Sequence, residues 1–168
     1  GDLGGKDIQK THSLFIRAAR LQNSHAMSKL ASMYEDGLLG KPDLNEALEW
    51  WGRAAQRKNK YALYKMASHW LGKYSSSTDD FIDGVNKTII EQKIKEYIDI
   101  AIKKGGNAAM YLKASIHENG YFGKIDLNKA VDFYIRAATG DTGSCLDPIL
   151  ALQRLLASGA ISADHFEE

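Results

Sequence analysis

Apolar residues recur at helical spacing along most of the chain. The clearest stripe follows Asp43 at positions i, i+3, i+4, i+7, i+10 and i+11: Leu44, Ala47, Leu48, Trp51, Ala54 and Ala55. It returns with the same spacing as Leu127, Ala130, Val131, Tyr134, Ala137 and Ala138. A shorter stripe in residues 26–36 predicts a preceding helix that ends at Gly37. The pattern therefore predicts helices that occur in pairs.

These helix pairs repeat one another. When residues 26–55 are shifted by 83 positions, fifteen of the thirty residues are identical to residues 109–138. A weaker copy begins near residue 62 and contains extra polar residues. We expect one repeat domain over residues 1–168, divided into a partial repeat with only a second helix (6–24), repeat 1 (25–60), repeat 2 (61–107) with an expanded loop (73–88), repeat 3 (108–143) and a terminal capping helix (144–168).

The amino-acid composition favours helices, but it does not explain why Gly52 lies inside one. The chain has 20 alanines and 17 leucines but only two valines, which favours helix over strand. Most of the 15 glycines fall between predicted helices, whereas Gly52 lies inside one, where glycine is unfavourable. Asp43 and Asp147 precede predicted helices as N-caps. We expect about eight helices in all.

The spacing within each pair resembles the Sel1-like repeat family, relatives of the tetratricopeptide repeats. The family pattern has an aromatic near the end of the first helix, a Gly-x-x-Gly turn and a second helix with paired aromatics and paired alanines. One copy is Tyr34, Gly37, Gly40, Asp43, Ala47, Trp50-Trp51 and Ala54-Ala55. The other is His117, Gly120, Gly123, Asp126, Ala130, Phe133-Tyr134 and Ala137-Ala138.

The resemblance implies an all-α fold, a right-handed α/α superhelical solenoid of helix pairs. It also implies a non-catalytic scaffold or adaptor that binds a protein or peptide partner in the concave groove of the array. The alternative is an accessory or substrate-positioning domain of a larger enzyme or complex. Exposed apolar faces at the ends of a repeat array also make self-association possible.

Sequence motifs for chemistry are lacking. None of the five histidines forms HExxH or an i, i+4 pair, and the glycine pairs are not part of a GxxxxGK[ST] loop. Cys145 is the only cysteine, which excludes an internal disulfide and a multi-cysteine zinc site. We therefore expect no enzymatic activity, no catalytic residues, no cofactor and no metal. Trp50 and Trp51 are interpreted as core residues, not as a ligand box.

Net charge and hydropathy argue against a nucleic-acid partner and against a membrane span. The net charge of +1 argues against a nucleic-acid partner, which requires a concentrated basic face. No apolar run is long enough for a membrane span. The sequence Asn86-Lys87-Thr88 is a glycosylation sequon within the expanded loop. The chain begins without Met, so we interpret it as a fragment or a processed product.

A groove surface can be predicted from the related solenoids, in which the first helix of each pair lines the concave side. Transferred by register, the predicted groove residues are Ser28, Ser32, Glu35, Asp36, Tyr64, Ser68, Leu71, Tyr111, Ser115, Glu118 and Asn119. Tyrosines beside small serines and carboxylates would suit a peptide or a protein edge. The alternative is that these are ordinary exposed helix residues. The polar loop around Ser75–Asn86, which we expect to be mobile, is a second candidate surface.

Overall fold

The computed structural model describes residues 3–140 and 148–162, with side chains from Asp7 onward. The predictions for Cys145 and for Asp147 as an N-cap lie outside these residues. Within them the chain forms eight α-helices and one short β-hairpin, which confirms the all-α repeat fold. The elements are α1 (Leu3–Arg20), α2 (Ser24–Glu35), α3 (Leu44–Gln56), α4 (Lys60–Ser76), β1 (Phe81–Ile82), β2 (Val85–Asn86), α5 (Lys87–Lys103), α6 (Asn107–Asn119), α7 (Leu127–Ala138) and α8 (Pro148–Ala157).

The chain divides into two compact units, residues 1–66 and residues 67–168. In the first unit α1 packs against α2, and α2 packs against α3. In the second unit α5 packs against α6, α6 against α7, and α7 against α8. Each unit therefore contains one of the two strongly similar helix pairs, α2 with α3 or α6 with α7.

The second helix of each strong repeat begins at an aspartate cap. The Asp43 carboxylate accepts a hydrogen bond from the backbone N–H of Glu46 at 3.0 Å, which satisfies a donor that the helix leaves unpaired. The Asp126 carboxylate accepts the equivalent bond from Lys129, also at 3.0 Å. Asp7 has the same register in the partial repeat but lies inside α1, because that helix begins earlier, at residue 3.

The turn between paired helices has the same geometry in both strong repeats. Gly37 and Gly120 have φ values of +67° and +65°, in the left-handed region that favours glycine. The backbone N–H of Asp43 donates to the Tyr34 carbonyl oxygen at 2.9 Å, and the equivalent bond in the other repeat has the same length. A Cβ atom on Gly37 would lie 2.8 Å from the Pro42 nitrogen, so the turn also excludes a side chain sterically.

The expanded loop of repeat 2 is shorter than predicted and contains regular structure. Helix α4 continues to Ser76 and α5 begins at Lys87, so the connection covers residues 77–86 and not 73–88. The prediction was wrong at its N-terminal end because the serines near residue 76 suggested a loop, whereas they extend the helix. It was wrong at its C-terminal end because Asn86 caps α5, which therefore begins at Lys87. Two of their hydroxyls donate to carbonyl oxygens three residues earlier, at 3.1 and 3.2 Å.

Within this connection the chain folds into an antiparallel hairpin. Asp83 and Gly84, with φ values of +50° and +76°, form its two-residue turn. The side chain of Ile82 is only 7% exposed, so the hairpin contributes to the packing of its unit. Asn86 ends the second strand and caps α5, because its side-chain oxygen accepts from the Thr88 N–H at 2.9 Å.

Alanines and one large aromatic residue form the interior of each strong repeat. Trp51 and Tyr134 occupy equivalent positions on the second helices, and each is 1% exposed, which confirms that they are core residues. Trp50 is only half-buried. Alanines on both helices of each pair are fully buried, with 0% exposure: Ala31, Ala47, Ala54, Ala114 and Ala130. A methyl group is the smallest apolar side chain, so these positions let paired helices approach closely.

A partly buried hydrogen bond connects Tyr134 to the end of α6. Its hydroxyl donates to the Glu118 carboxylate at 2.6 Å, and Arg154 on α8 forms an ion pair with the same carboxylate. Burial first, and then the hydrogen bond to Glu118, raise the pKa of Tyr134 well above its usual range. The ring of Tyr111 contacts Tyr134 edge-on, with centroids 5.2 Å apart. Helices α6, α7 and α8 are thus linked through one glutamate.

Gly52 has no structural requirement for glycine. It lies in the middle of α3 and has a helical backbone, and a Cβ atom added there would meet no atom within 4 Å. We therefore expect Gly52→Ala to stabilise the protein by about 0.5–1 kcal/mol, because alanine reduces the entropy of the unfolded chain. The free energy of unfolding from urea denaturation measures this effect.

Gly37→Ala is the matched control in the same unit. It places a Cβ atom against Pro42 at a positive φ, so it should lower the free energy of unfolding by more than about 1 kcal/mol. Equal effects of the two substitutions would contradict the assignment of Gly37 as a required glycine and Gly52 as a replaceable one.

The second prediction concerns the hydroxyl of Tyr134. Tyr134→Phe keeps the ring but removes the donor to a partly buried carboxylate, so it should destabilise the protein by about 1–3 kcal/mol. Tyr97→Phe is the control, since the Tyr97 hydroxyl makes no hydrogen bond to another described residue. If both variants unfold at the wild-type denaturant concentration, the Tyr134–Glu118 bond does not contribute to stability.

Candidate functional site

The predicted groove residues in the first unit differ in their accessibility. Asp36 is exposed at the end of α2, whereas Ser32, Glu35 and Tyr64 are half-buried. Ser28 is only 6% exposed, so it offers almost no surface to a partner. The sequence pattern did not reveal this because Ser28 is small and polar, and its burial depends on tertiary packing.

In the second unit the predicted residues lie on α4 and α6. Asn119 is exposed, and most of the others are half-buried: Ser68, Tyr111, Ser115 and Glu118. Leu71 is 6% exposed and belongs to the core instead. Asn119 and Ser115 are brought together, since the Asn119 amide donates to the Ser115 carbonyl at 2.8 Å and lies 3.3 Å from its hydroxyl oxygen. The accessible set therefore lacks Ser28 and Leu71.

Both glutamates of the predicted groove are engaged within the protein. The Lys65 ammonium donates to both carboxylate oxygens of Glu35, at 2.9 and 2.8 Å. Burial lowers the pKa of Lys65, but the hydrogen bond to Glu35 and nearby tyrosines outweigh this effect and raise it overall. Glu118 has the same role in the other strong repeat, where it contacts Tyr134 and Arg154. Each glutamate thus links its first helix to a later helix of the same unit.

A cavity of about 930 Å³ in the second unit was not predicted from the sequence. It lies between α5, α6 and the turn that leads into α7, and we call it the α5–α7 pocket. Its apolar lining residues are Ile98, Ile116, Phe122, Ile125 and Leu127, and its charged or titratable lining residues are Lys95, Asp99, Lys113, His117, Lys124, Asp126 and Lys129. Ile125, which is 64% exposed, lies in the turn before α7 at the position that Pro42 occupies in the other strong repeat.

The histidine in this pocket serves mainly as a packing residue. His117 stacks on the ring of Phe133, with parallel planes and centroids 5.8 Å apart. Burial lowers the pKa of His117, the Asp126 carboxylate opposes this effect, and the ammonium groups of Lys129 and Lys113 add to it. The imidazole is therefore neutral near pH 7, and the charge of the pocket comes from its lysines and aspartates.

In residues 3–140 and 148–162, no three His, Cys, Asp or Glu side chains are arranged to hold a metal ion. Over the same part of the chain, no helix combines the length and the apolar character needed to cross a membrane.

Comparison with known proteins identifies the repeats. The model of the Sel1 repeat matches residues 1–23, 24–59 and 107–141, and the last two ranges differ from the predicted repeats 1 and 3 by no more than two residues at either end. The match to residues 1–23 corresponds to the predicted partial repeat. A search of curated proteins finds no match.

A solved structure supports the same conclusion about the fold. The chain is similar to a Sel1 repeat protein from Oxalobacter formigenes, with a TM-score of 0.68 and 24% identity over 92% of this chain. It spans 57% of the length of that protein. It also matches a protective antigen of uropathogenic Escherichia coli that has an SLR fold, with a TM-score of 0.38 and 23% identity, over 76% of this chain and 32% of the other.

The ranges matched by the family model cover more than half of the sequence, and two of them contain the helix pairs α2–α3 and α6–α7 with their shared caps, turns and buried aromatics. The chain belongs to the Sel1 repeat family.

Proposed function

We propose that this protein is a non-catalytic scaffold that binds a partner protein or peptide on the first helices of its repeats. Sel1 repeats are generally protein–protein interaction modules, and this property of the family supports the proposal. The binding residues we propose are the accessible members of the predicted set: Ser32, Glu35, Asp36, Tyr64, Ser68, Tyr111, Ser115, Glu118 and Asn119.

The observation that best supports this surface is the partial exposure of Tyr64 and Tyr111. Both rings contact a neighbouring tyrosine, with Tyr61 at 5.9 Å from Tyr64 and Tyr134 at 5.2 Å from Tyr111 between centroids. These contacts restrict the rings while leaving part of each accessible. An ordered aromatic ring loses little conformational entropy on binding, so it suits the centre of an interface.

The charges of this surface favour hydrogen bonding over ionic recognition. Glu35 and Glu118 already have cationic partners, which leaves them fewer lone pairs for a ligand. The hydroxyls of Ser32 and Ser115 can donate to the backbone carbonyls of an extended peptide. We therefore expect binding at this surface to depend weakly on salt concentration.

Photo-crosslinking tests the proposal directly. Benzoylphenylalanine replaces Tyr64, Tyr111 or, as a control outside the surface, Tyr97 on α5. Each purified protein is irradiated in extract, and cross-linked proteins are identified by mass spectrometry. We expect the same partner to be captured from Tyr64 and from Tyr111 and not from Tyr97. Equal capture from Tyr97 would contradict the proposed surface.

The partner identified in this way allows a quantitative prediction. Tyr64→Ala combined with Tyr111→Ala should weaken binding at least about tenfold, because a loss of 1.4 kcal/mol of contact energy has that effect. Far-UV circular dichroism should be unchanged.

Two substitutions at Ser115 distinguish steric blocking of the proposed surface from a loss of binding caused by misfolding. Ser115→Arg should weaken binding as strongly as the tyrosine substitutions, while Ser115→Ala should change it less than about threefold. If Ser115→Arg and the double tyrosine variant both bind the partner with unchanged affinity, the partner does not bind at this surface. Light scattering at several concentrations serves as the control for self-association.

A further inference from the structure

We propose that the α5–α7 pocket is a second binding site, which accepts an acidic peptide segment of a partner protein. An apolar side chain of the peptide enters the cavity, and neighbouring carboxylates meet the lysines at its edge. The proposal is independent of the surface proposed above. None of the residues that line the pocket belongs to that surface.

The cavity is large enough to hold an apolar side chain together with the neighbouring residues of a peptide. A volume of about 930 Å³ lies near the upper end of the range found for ligand pockets. Ile98 and Ile116 form the buried part of the lining, with exposures of 2% and 7%. Phe122 is half-buried and is held on one side by the edge-on ring of Tyr74, 5.0 Å away. An apolar group placed here would remove existing hydrocarbon surface from water.

The apolar surface continues out of the cavity onto the turn before α7. Ile125 lines the cavity and is 64% exposed, so its apolar surface is open to solvent beside the cavity. A small molecule would fill only the cavity and leave this part of the surface uncovered. An extended peptide can place one side chain inside and cover Ile125 with the next residues.

The charge of the pocket selects an acidic peptide. Four lysines line it against two aspartates, and each aspartate is paired with one lysine. Lys113 lies 2.6 Å from an Asp99 oxygen, and Lys129 lies 2.9 Å from an Asp126 oxygen. Of the remaining two lysines, Lys95 is paired with Glu91, which lies outside the lining, so the uncompensated positive charge of the pocket comes from Lys124.

These two remaining lysines differ in their surroundings. Lys95 forms an ion pair with Glu91, one turn earlier on α5, and its ammonium lies 5.2 Å from the centroid of the Phe122 ring. Lys124 is exposed on the turn, and it has no carboxylate partner among the residues that the structure describes. A ligand carboxylate beside Ile125 can therefore pair with Lys124 without displacing an internal contact.

Selection from a randomised heptapeptide display library tests the site without assuming a sequence. The library is selected on the wild-type protein, and the enriched peptides are synthesised and titrated by fluorescence anisotropy. We expect peptides with an aliphatic or aromatic residue next to Asp or Glu. Lys124→Glu and Ile125→Asp should each weaken their binding at least about tenfold. Raising the salt concentration from 50 to 500 mM should also weaken it.

Control substitutions outside the pocket test whether the loss of peptide binding is specific to this site. Lys103→Glu and Ile89→Asp make the same changes at exposed positions of α5 that do not line the pocket, and should leave affinity within about twofold. Tyr111→Ala, on the other proposed surface, should also leave it unchanged. Circular dichroism verifies that each variant is folded.

Three results would overturn the proposal: no enrichment on the wild type, enrichment of peptides without acidic residues, or binding that is insensitive to both Lys124→Glu and Ile125→Asp. Peptides that lose affinity only with Tyr111→Ala would overturn the pocket while supporting the surface on the first helices. Failure of the pocket alone leaves that surface unaffected.

Discussion

The close approach of paired helices through buried alanines is the constraint on which the rest of the structure depends. On α3, Ala47 and Ala54 are fully buried, and the same is true of Ala130 on α7. A single large residue on each second helix, Trp51 or Tyr134, fills the space that the alanines leave. Small and large side chains thus alternate at the contact, which allows dense packing without strain. The aspartate caps and glycine turns then fix where each helix of the pair begins and ends.

This packing also explains which polar residues are available for binding. The glutamate at the end of each first helix contacts other side chains of its own unit. Glu35 forms an ion pair with Lys65, and Glu118 accepts a hydrogen bond from Tyr134 and forms an ion pair with Arg154. Ser32 on α2 and Tyr111 and Ser115 on α6 remain partly accessible. The first helices therefore offer hydroxyls and aromatic rings, whereas the α5–α7 pocket offers lysines around an apolar cavity. The two proposed sites suit different peptides because their chemistry differs.

Much of the fold could be predicted because the sequence repeats. Identical residues at a fixed shift require similar environments, so the caps, the glycine turns and the buried aromatics of one repeat support their assignment in the other. The region between residues 60 and 106 departs from the repeat, and there the predictions were less accurate. Asp83-Gly84 is a strong hairpin signal, but it lies in a serine-rich and acidic stretch whose composition predicts an expanded, mobile loop.

The candidate sites were harder to predict than the helices. Ser28 and Leu71 were assigned to the groove by register, but register gives the face of a helix and not what packs against that face. The α5–α7 pocket combines residues from α5, α6, the turn that follows α6 and the first turn of α7, and no periodicity within one element reveals such a combination. The ion pairs of Glu35 and Glu118 join residues 30 and 36 positions apart, so they too depend on tertiary structure.

The most direct test of the central constraint is the free energy of unfolding of Ala47→Leu, measured by urea denaturation beside Gln56→Leu on the same helix. Leucine at the fully buried position 47 must separate α3 from its neighbours or distort its own side chain, so it should lower the free energy of unfolding by about 1–3 kcal/mol. Leucine at the exposed position 56 should change it by less than about 0.5 kcal/mol. Equal stability of the two variants would contradict the claim that close packing through buried alanines stabilises the paired helices of a repeat.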